Sequence, residues 1–207
     1  MGETLRIHSF WHGCCPLLGP SLYVWVRGCP RRCPGCFNRD MLDDDGAALE
    51  ITADEVVSRW ERRRGGLVLS GGEPFSQAAG LANVCREVRA IKPETPVLVF
   101  TGYRVEELIA AARREWLALM RQADVIVDGP FIQSRVTDMP LVGSDNQRVV
   151  LLGDRVPPEQ LAGLRRARIQ LSLDPEGYIG LVGTGGGGLD MNAVVRTLRD
   201  QGLVIEG

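Results

Sequence analysis

Between Ser21 and Asp154 the chain repeats one alternation, and this constrains its fold more than any other feature. Short apolar, β-branched runs are separated by stretches with helical spacing. The strand-like runs are SLYVWVRGC (21–29), GLVLSGGEPF (66–75), TPVLVFTGY (95–103), ADVIVDGPF (123–131) and NQRVVLLGD (146–154). Helical spacing falls in 51–66, 81–91, 105–120 and 157–167. Strands that alternate with helices call for a parallel sheet with right-handed crossovers, and continuous apolar runs suit strands buried on both faces. Eight such units need about 250 residues to close a barrel. With 207 residues, the prediction is an α/β fold: an open, partial (β/α) barrel of about five to six units.

Local signals place several boundaries. Thr52 and Glu55 stand at capping-box spacing, and Arg62–Arg64 before Gly65 suit a helix C-terminus. The run 105–120 predicts one long helix. Cys85 shares an apolar helical face with Leu81, Val84 and Val88, which reads as core. Past Leu152 the sequence predicts a hairpin around PEG (175–177), a glycine-rich loop at Gly183–Gly188 and a closing helix over 189–202 with Asp190 as its cap. The spacing Gly183, Gly185, Gly188 resembles a dinucleotide loop but lacks the acidic residue about 20 positions on; it reads as a loop. His8 and His12 read as surface or core histidines, with an acid role as the alternative.

A formal charge of −2 sets up no global field for nucleic acid or anionic membrane. All 24 basic residues except Lys92 are arginine, which reads as composition bias. MGETLRIHSFWHGCC lacks the cationic start and apolar run of a signal peptide, and no stretch reaches the ~18 apolar residues of a membrane span. The expectation is a cytoplasmic protein with reduced thiols. Six cysteines there point to metal or redox chemistry. Five precede residue 37, and Cys29, Cys33 and Cys36 fall in one loop directly after the first apolar strand.

Loops at the C-terminal ends of barrel strands form the active face, so the C-x3-C-x2-C loop sits where a site belongs. Four cysteines complete an ordinary [4Fe–4S] cluster and four ligands close a structural zinc; three leave one position open for chemistry. Pro30, Pro34 and Gly35 keep the loop out of helix. From spacing alone, an iron–sulfur cluster competes with a zinc knuckle, whose fourth ligand would be Cys14, Cys15 or His12, and with a disulfide. Ser70–Pro74 (SGGEP) ends the second strand. Its paired glycines would let a ligand lie on bare backbone, with carbonyls free to accept from an ammonium and with Glu73 adding negative charge.

Taken in order, these pieces resemble the radical S-adenosylmethionine (SAM) enzymes, and within them the activating enzymes of anaerobic (class III) ribonucleotide reductase. Gly19–Pro20 precedes the first strand; CPGCFN, SGGEPF, FTGY (100–103), DVIVDGPFIQ (124–133) and GSDNQRVV (143–150) follow. The resemblance implies a radical SAM type of partial barrel. Cys29, Cys33 and Cys36 would hold three irons of a [4Fe–4S] cluster, and the amino and carboxylate groups of SAM would take the fourth. Gly71, Gly72, Glu73 and Pro74 would line the methionine end of SAM, Gly35 and Phe37 would lie near the adenine, and Asp128 near SAM or a cation. The activity implied is reductive cleavage of SAM to a 5′-deoxyadenosyl radical that installs a glycyl radical on a partner enzyme, with a flavodoxin- or ferredoxin-type electron donor. The alternatives are a radical SAM enzyme acting on a peptide or small molecule, and a non-catalytic metal-binding interaction module. The family pattern stops near Leu152, which divides the chain into a core with the cluster and SAM site (1–152) and an extension that packs on or completes the barrel (153–207).

Overall fold

The computed structural model describes residues 4–164, 170–173, 179–182, 196 and 200. Seven strands form one sheet: β1 (Leu5–Cys15), β2 (Gly19–Val26), β3 (Leu49–Ile51), β4 (Gly66–Gly71), β5 (Val97–Phe100), β6 (Val125–Asp128) and β7 (Arg148–Leu151). Their order across the sheet is β3-β1-β2-β4-β5-β6-β7. The centre, β2-β4-β5-β6, is parallel. Helix α1 (Ala53–Glu61) lies in the connection between the first pair, α2 (Ala78–Ile91) joins the next, and α3 (Val105–Ala111) with α4 (Arg114–Gln122) the last.

The described residues therefore carry three crossovers between four parallel strands, fewer than the five to six units expected. The difference lies at the edges. β7 turns back antiparallel on β6: the connection 129–147 carries no α-helix to cross the sheet, the usual link between parallel strands. At the other edge, β1 pairs antiparallel with both β2 and β3.

Each central strand divides its side chains between two apolar layers, as its period of two requires. Leu22, Val24, Val26, Leu67, Leu69 and Val99 pack with α1, α2 and α4 through Val56, Trp60, Leu81, Val84, Val88 and Leu119. Cys85 lies in this layer, and burial pushes its thiol up to about 12. Tyr23, Trp25, Val68, Leu98, Phe100, Val125 and Val127 face the opposite side, with Cys15, Leu17, Val142 and Val156.

Thr52 caps α1 as its spacing predicts: Thr52 N–H donates to Glu55 Oε2 at 2.8 Å, and Glu55 N–H donates to Thr52 Oγ1 at 3.4 Å. The long helix over 105–120 is two helices. Ala112 takes a left-handed conformation, φ 49°, and the chain redirects there. A straight helix would separate residues 103 and 116 by about 20 Å; the Tyr103 and Trp116 rings are instead 4.9 Å apart between centroids.

Beyond the sheet, α5 (Pro158–Ala162) begins on Pro158, and Leu161 and Leu164 pack against the second layer. Strands β8 (Gln170–Leu173) and β9 (Ile179–Val182) pair antiparallel, the hairpin expected around PEG. The glycine-rich loop 183–188 and the body of the helix predicted over 189–202 lie outside the described residues.

Candidate functional site

The C-terminal ends of β2, β4, β5 and β6 open onto one cavity of about 530 Å³. Cys29, Cys33, Cys36 and Phe37 line it from the loop after β2, Gly71, Gly72 and Glu73 from the turn after β4, Thr101 and Gly102 from the end of β5, and Gly129 and Phe131 from beyond β6. The wall toward β1 is Cys15, Tyr23 and Trp25. Cys29 and Phe131, 102 residues apart in sequence, thus share one cavity because parallel strands deliver all their C-terminal ends to one edge.

The cysteine loop is bound to its neighbours through polar contacts. Gly28 N–H donates to Met41 O at 2.8 Å, Cys29 N–H to Leu42 O at 3.0 Å, and Glu73 N–H to Gly28 O at 2.8 Å. Arg27 is buried just before it, and its Nη1 donates to Asp40 O at 2.7 Å. Burial raises the Cys29 and Cys36 thiols above their ordinary range. Backbone N–H groups of Arg32 and Arg31 oppose this at Cys29, and that of Asn38 opposes it at Cys36. Arg32 sits at φ 41° within this turn. Amides aimed at sulfur would suit cluster-bound thiolates, because such hydrogen bonds help set a cluster's potential.

Two glycines permit the adjoining turn. Gly71 has φ 102°, and a Cβ there would lie 2.6 Å from Val26 N and O; one at Gly72 would lie 2.2 Å from Gly28 O. The strand end and the cysteine loop can approach this closely only without side chains. The Gly71 carbonyl, expected to be open to an ammonium, accepts Asn38 Nδ2 at 2.9 Å. Its second lone pair remains for a ligand.

Glu73 is fully buried. Its Oε1 accepts Phe75 N–H at 3.0 Å and Thr101 Oγ1–H at 2.9 Å, and its Oε2 accepts Gly102 N–H at 2.9 Å. Burial pushes its pKa to about 7, against those hydrogen bonds and the charge of Arg31. One acceptor position on Oε2 is left, at the cavity wall.

Of the ten site residues drawn from the sequence, seven line the cavity: Cys29, Cys33, Cys36, Phe37, Gly71, Gly72 and Glu73. Phe37 is 51% exposed and packs on Phe131 with centroids 4.8 Å apart. Three do not line it. Gly35 turns the loop at φ 75°, against Gln133. Pro74 is buried and starts a 3-10 turn. Asp128 is buried and held by Arg104 Nη1 at 3.2 Å, by Val105 N–H at 2.9 Å and by Arg148. Burial works against its charge, yet these partners hold its carboxyl below the ordinary range.

Sequence reasoning assigned no role to Asn38, Thr101 or Arg31. The motifs of the first two, CFN and FTGY, were visible, but their hydrogen bonds to Gly71 and Glu73 join segments 28 to 33 residues apart. Cys14 is exposed on β1, while Cys15 is buried beside the Tyr23 hydroxyl. Among the described residues, no three His, Cys, Asp or Glu side chains converge to hold a single metal ion. A cluster fits this loop better, since each thiolate then binds a different iron and the sulfurs stay apart.

The chain belongs to the 4Fe–4S single cluster domain family, whose sequence pattern matches residues 18–150. It is 34% identical over 140 residues to the anaerobic ribonucleoside-triphosphate reductase-activating protein of Haemophilus influenzae, covering 62% of this chain and 86% of that one. To the protein of the same name from Enterobacteria phage T4 it is 30% identical over 136 residues, 63% of this chain and 83% of the other. With that from Escherichia coli K12 it shares 29% over 140 residues, 63% and 88% of the two chains. These relatives bear out the resemblance read from the motifs. Among solved structures, QueE from Escherichia coli superposes with a TM-score of 0.40 and 14% identity, over 48% of this chain and 53% of that one. No helix among the described residues is long and apolar enough to cross a membrane.

Proposed function

We propose that this chain is a radical SAM enzyme that activates an anaerobic ribonucleotide reductase by forming a glycyl radical on it. The observation that carries this reading is the meeting, in one cavity, of Cys29, Cys33 and Cys36 with Gly71–Gly72–Glu73. When bound, a [4Fe–4S] cluster and SAM supply one-electron cleavage of a sulfonium and hydrogen-atom abstraction.

The chain's residues supply the rest. Cys29, Cys33 and Cys36 would hold the cluster through three irons, leaving one iron for SAM. Glu73 Oε2 and the Gly71 carbonyl would accept from the N–H groups of the SAM amino nitrogen, and bare backbone at Gly72 would let the methionine end approach. Phe37, with Phe131, offers ring faces to the adenine. Gly35, Pro74 and Asp128 act from outside the cavity, by shaping the loop and strand ends that face it. Tyr23, Trp25 and Leu98 exclude water from one wall. The sheet face opposite α1, α2 and α4, with Val156, Leu161 and Leu164 packed on it, supports an open partial barrel whose open side admits a partner's glycine loop to the cavity. A flavodoxin- or ferredoxin-type protein supplies the electron. The relatives favour neither peptide modification nor a non-catalytic metal module.

The test is anaerobic reconstitution with iron and sulfide, reduction with dithionite, and assay for 5′-deoxyadenosine, repeated with the reductase under electron paramagnetic resonance. The expected result is SAM cleavage and a glycyl radical on the reductase. Cys33→Ala should lose both cluster and turnover. A reconstituted protein that leaves SAM intact overturns the reading.

A further inference from the structure

Toward the ends of β4 and β5 the cysteine loop is held at three places. Two are hydrogen bonds to the β4 turn, from Glu73 N–H to Gly28 O and from Asn38 Nδ2 to Gly71 O. The third is Arg31, inside the C-x3-C span and on the cavity wall. Its guanidinium lies over the Tyr103 ring, 4.9 Å from the centroid, and its Nη1 reaches Glu107 Oε1 at 3.4 Å. Its stem covers Gly102 so closely that a Cβ there would lie 3.0 Å from Arg31 Cγ.

The ion pair alone does not account for this placement. Glu107 is 46% exposed and already accepts Arg104 N–H, and exposed pairs contribute little. The stack holds Arg31 instead, because its ring is itself fixed. Tyr103 lies 4.9 Å from Trp116, and Trp116 lies 6.0 Å from Phe75, two residues after Glu73. Arg31, Tyr103, Trp116 and Phe75 therefore link the cysteine loop to the Glu73 turn around the outside of the cavity.

We propose that Arg31 is a positioning residue: stacked on Tyr103, it locks the Cys29–Cys33 arc against Gly102 and fixes a positive charge beside the cluster site and Glu73. The inference rests on the reading of the preceding section. A nearby cation favours the state that has gained an electron. The lock also presents Glu73 and the cysteines to SAM as one preformed site, which lowers the ordering cost of binding.

The test uses the reconstituted full chain with Arg31→Gln, Arg31→Lys, Tyr103→Leu and Tyr103→Phe. Iron content, the midpoint potential of the cluster, and SAM affinity from the change in the reduced cluster's resonance are measured. Arg31→Gln should shift the potential negative and weaken SAM binding by about tenfold. Arg31→Lys should keep the potential but weaken SAM binding, since an ammonium cannot stack as a planar group. Tyr103→Leu should weaken SAM binding without touching a charge, and Tyr103→Phe should match the wild type. Wild-type potential and SAM affinity in Arg31→Gln overturn this inference alone. Should that variant retain no iron, wild-type SAM affinity in Arg31→Lys and Tyr103→Leu overturns it. A wild-type cluster that does not respond to SAM overturns the proposed function and this inference with it.

Discussion

Glu73 is the residue at which structure and chemistry pull hardest against each other. Its carboxyl is buried with three donors, and its pKa stands near 7. A raised folded-state pKa favours the protonated fold. The stability it contributes is full below the unfolded carboxyl range and lost as pH rises through 7. The shift corresponds to about 3 kcal/mol. Thermal melts of the metal-free protein should show the wild type losing stability between pH 4.5 and about 7 relative to Glu73→Gln, and no further above that; parallel pH curves would remove the argument. SAM binding should follow the opposite course, strengthening toward pH 8 as the carboxylate forms. Thr101 completes this arrangement, donating to Glu73 Oε1 and accepting Tyr103 N–H at 3.1 Å.

At the scale of elements, the break between α3 and α4 is a residue in the wrong conformation for its type. Ala112 at φ 49° carries a left-handed penalty that glycine does not. Ala112→Gly should raise stability by about 1 kcal/mol in denaturant titration, without altering iron uptake. No glycine or proline marks 105–120, so the sequence showed only the apolar faces on either side of the break. β1 escaped for a related reason. A bulge between Ile7 and Ser9 shifts its pairing, so Leu5 and Ile7 share a layer with Phe10 and not with Trp11. A one-residue slip breaks the period of two on which strand recognition depends. At the far end of β6, Asp124 accepts Arg89 Nη2 at 2.6 Å, Arg155 Nη1 at 3.1 Å and Val97 N–H at 2.8 Å. Asp124→Ala leaves the largely buried Arg89 uncompensated and should cost about 3 kcal/mol. Circular dichroism melts would measure it.

Across the whole molecule, the segment just past Leu152 belongs to the core. Val156 is 2% exposed and packs with Tyr23, Val68 and Leu98. Arg155 reaches back to Asp124 and Pro93. Val156→Ala should therefore lower stability by about 2 kcal/mol, as a surface appendage would not. Equal melting temperatures for the two proteins would show that the segment is not integral.

The alternation of apolar strands and helical faces, the Thr52 cap and the three-cysteine loop were legible in the order of residues alone. Each depends on neighbours a few positions apart, where periodicity and side-chain type decide. Tertiary structure decided the rest: the antiparallel edges of the sheet, the Asn38–Gly71 and Thr101–Glu73 bonds, the Arg31 stack on Tyr103, and the withdrawal of Asp128 from the cavity lining by Arg104 and Arg148. Apart from the β1–β2 hairpin, these contacts join segments about twenty or more residues apart. Their partners are chosen by which strand ends the sheet brings together, and no local pattern in the chain records that.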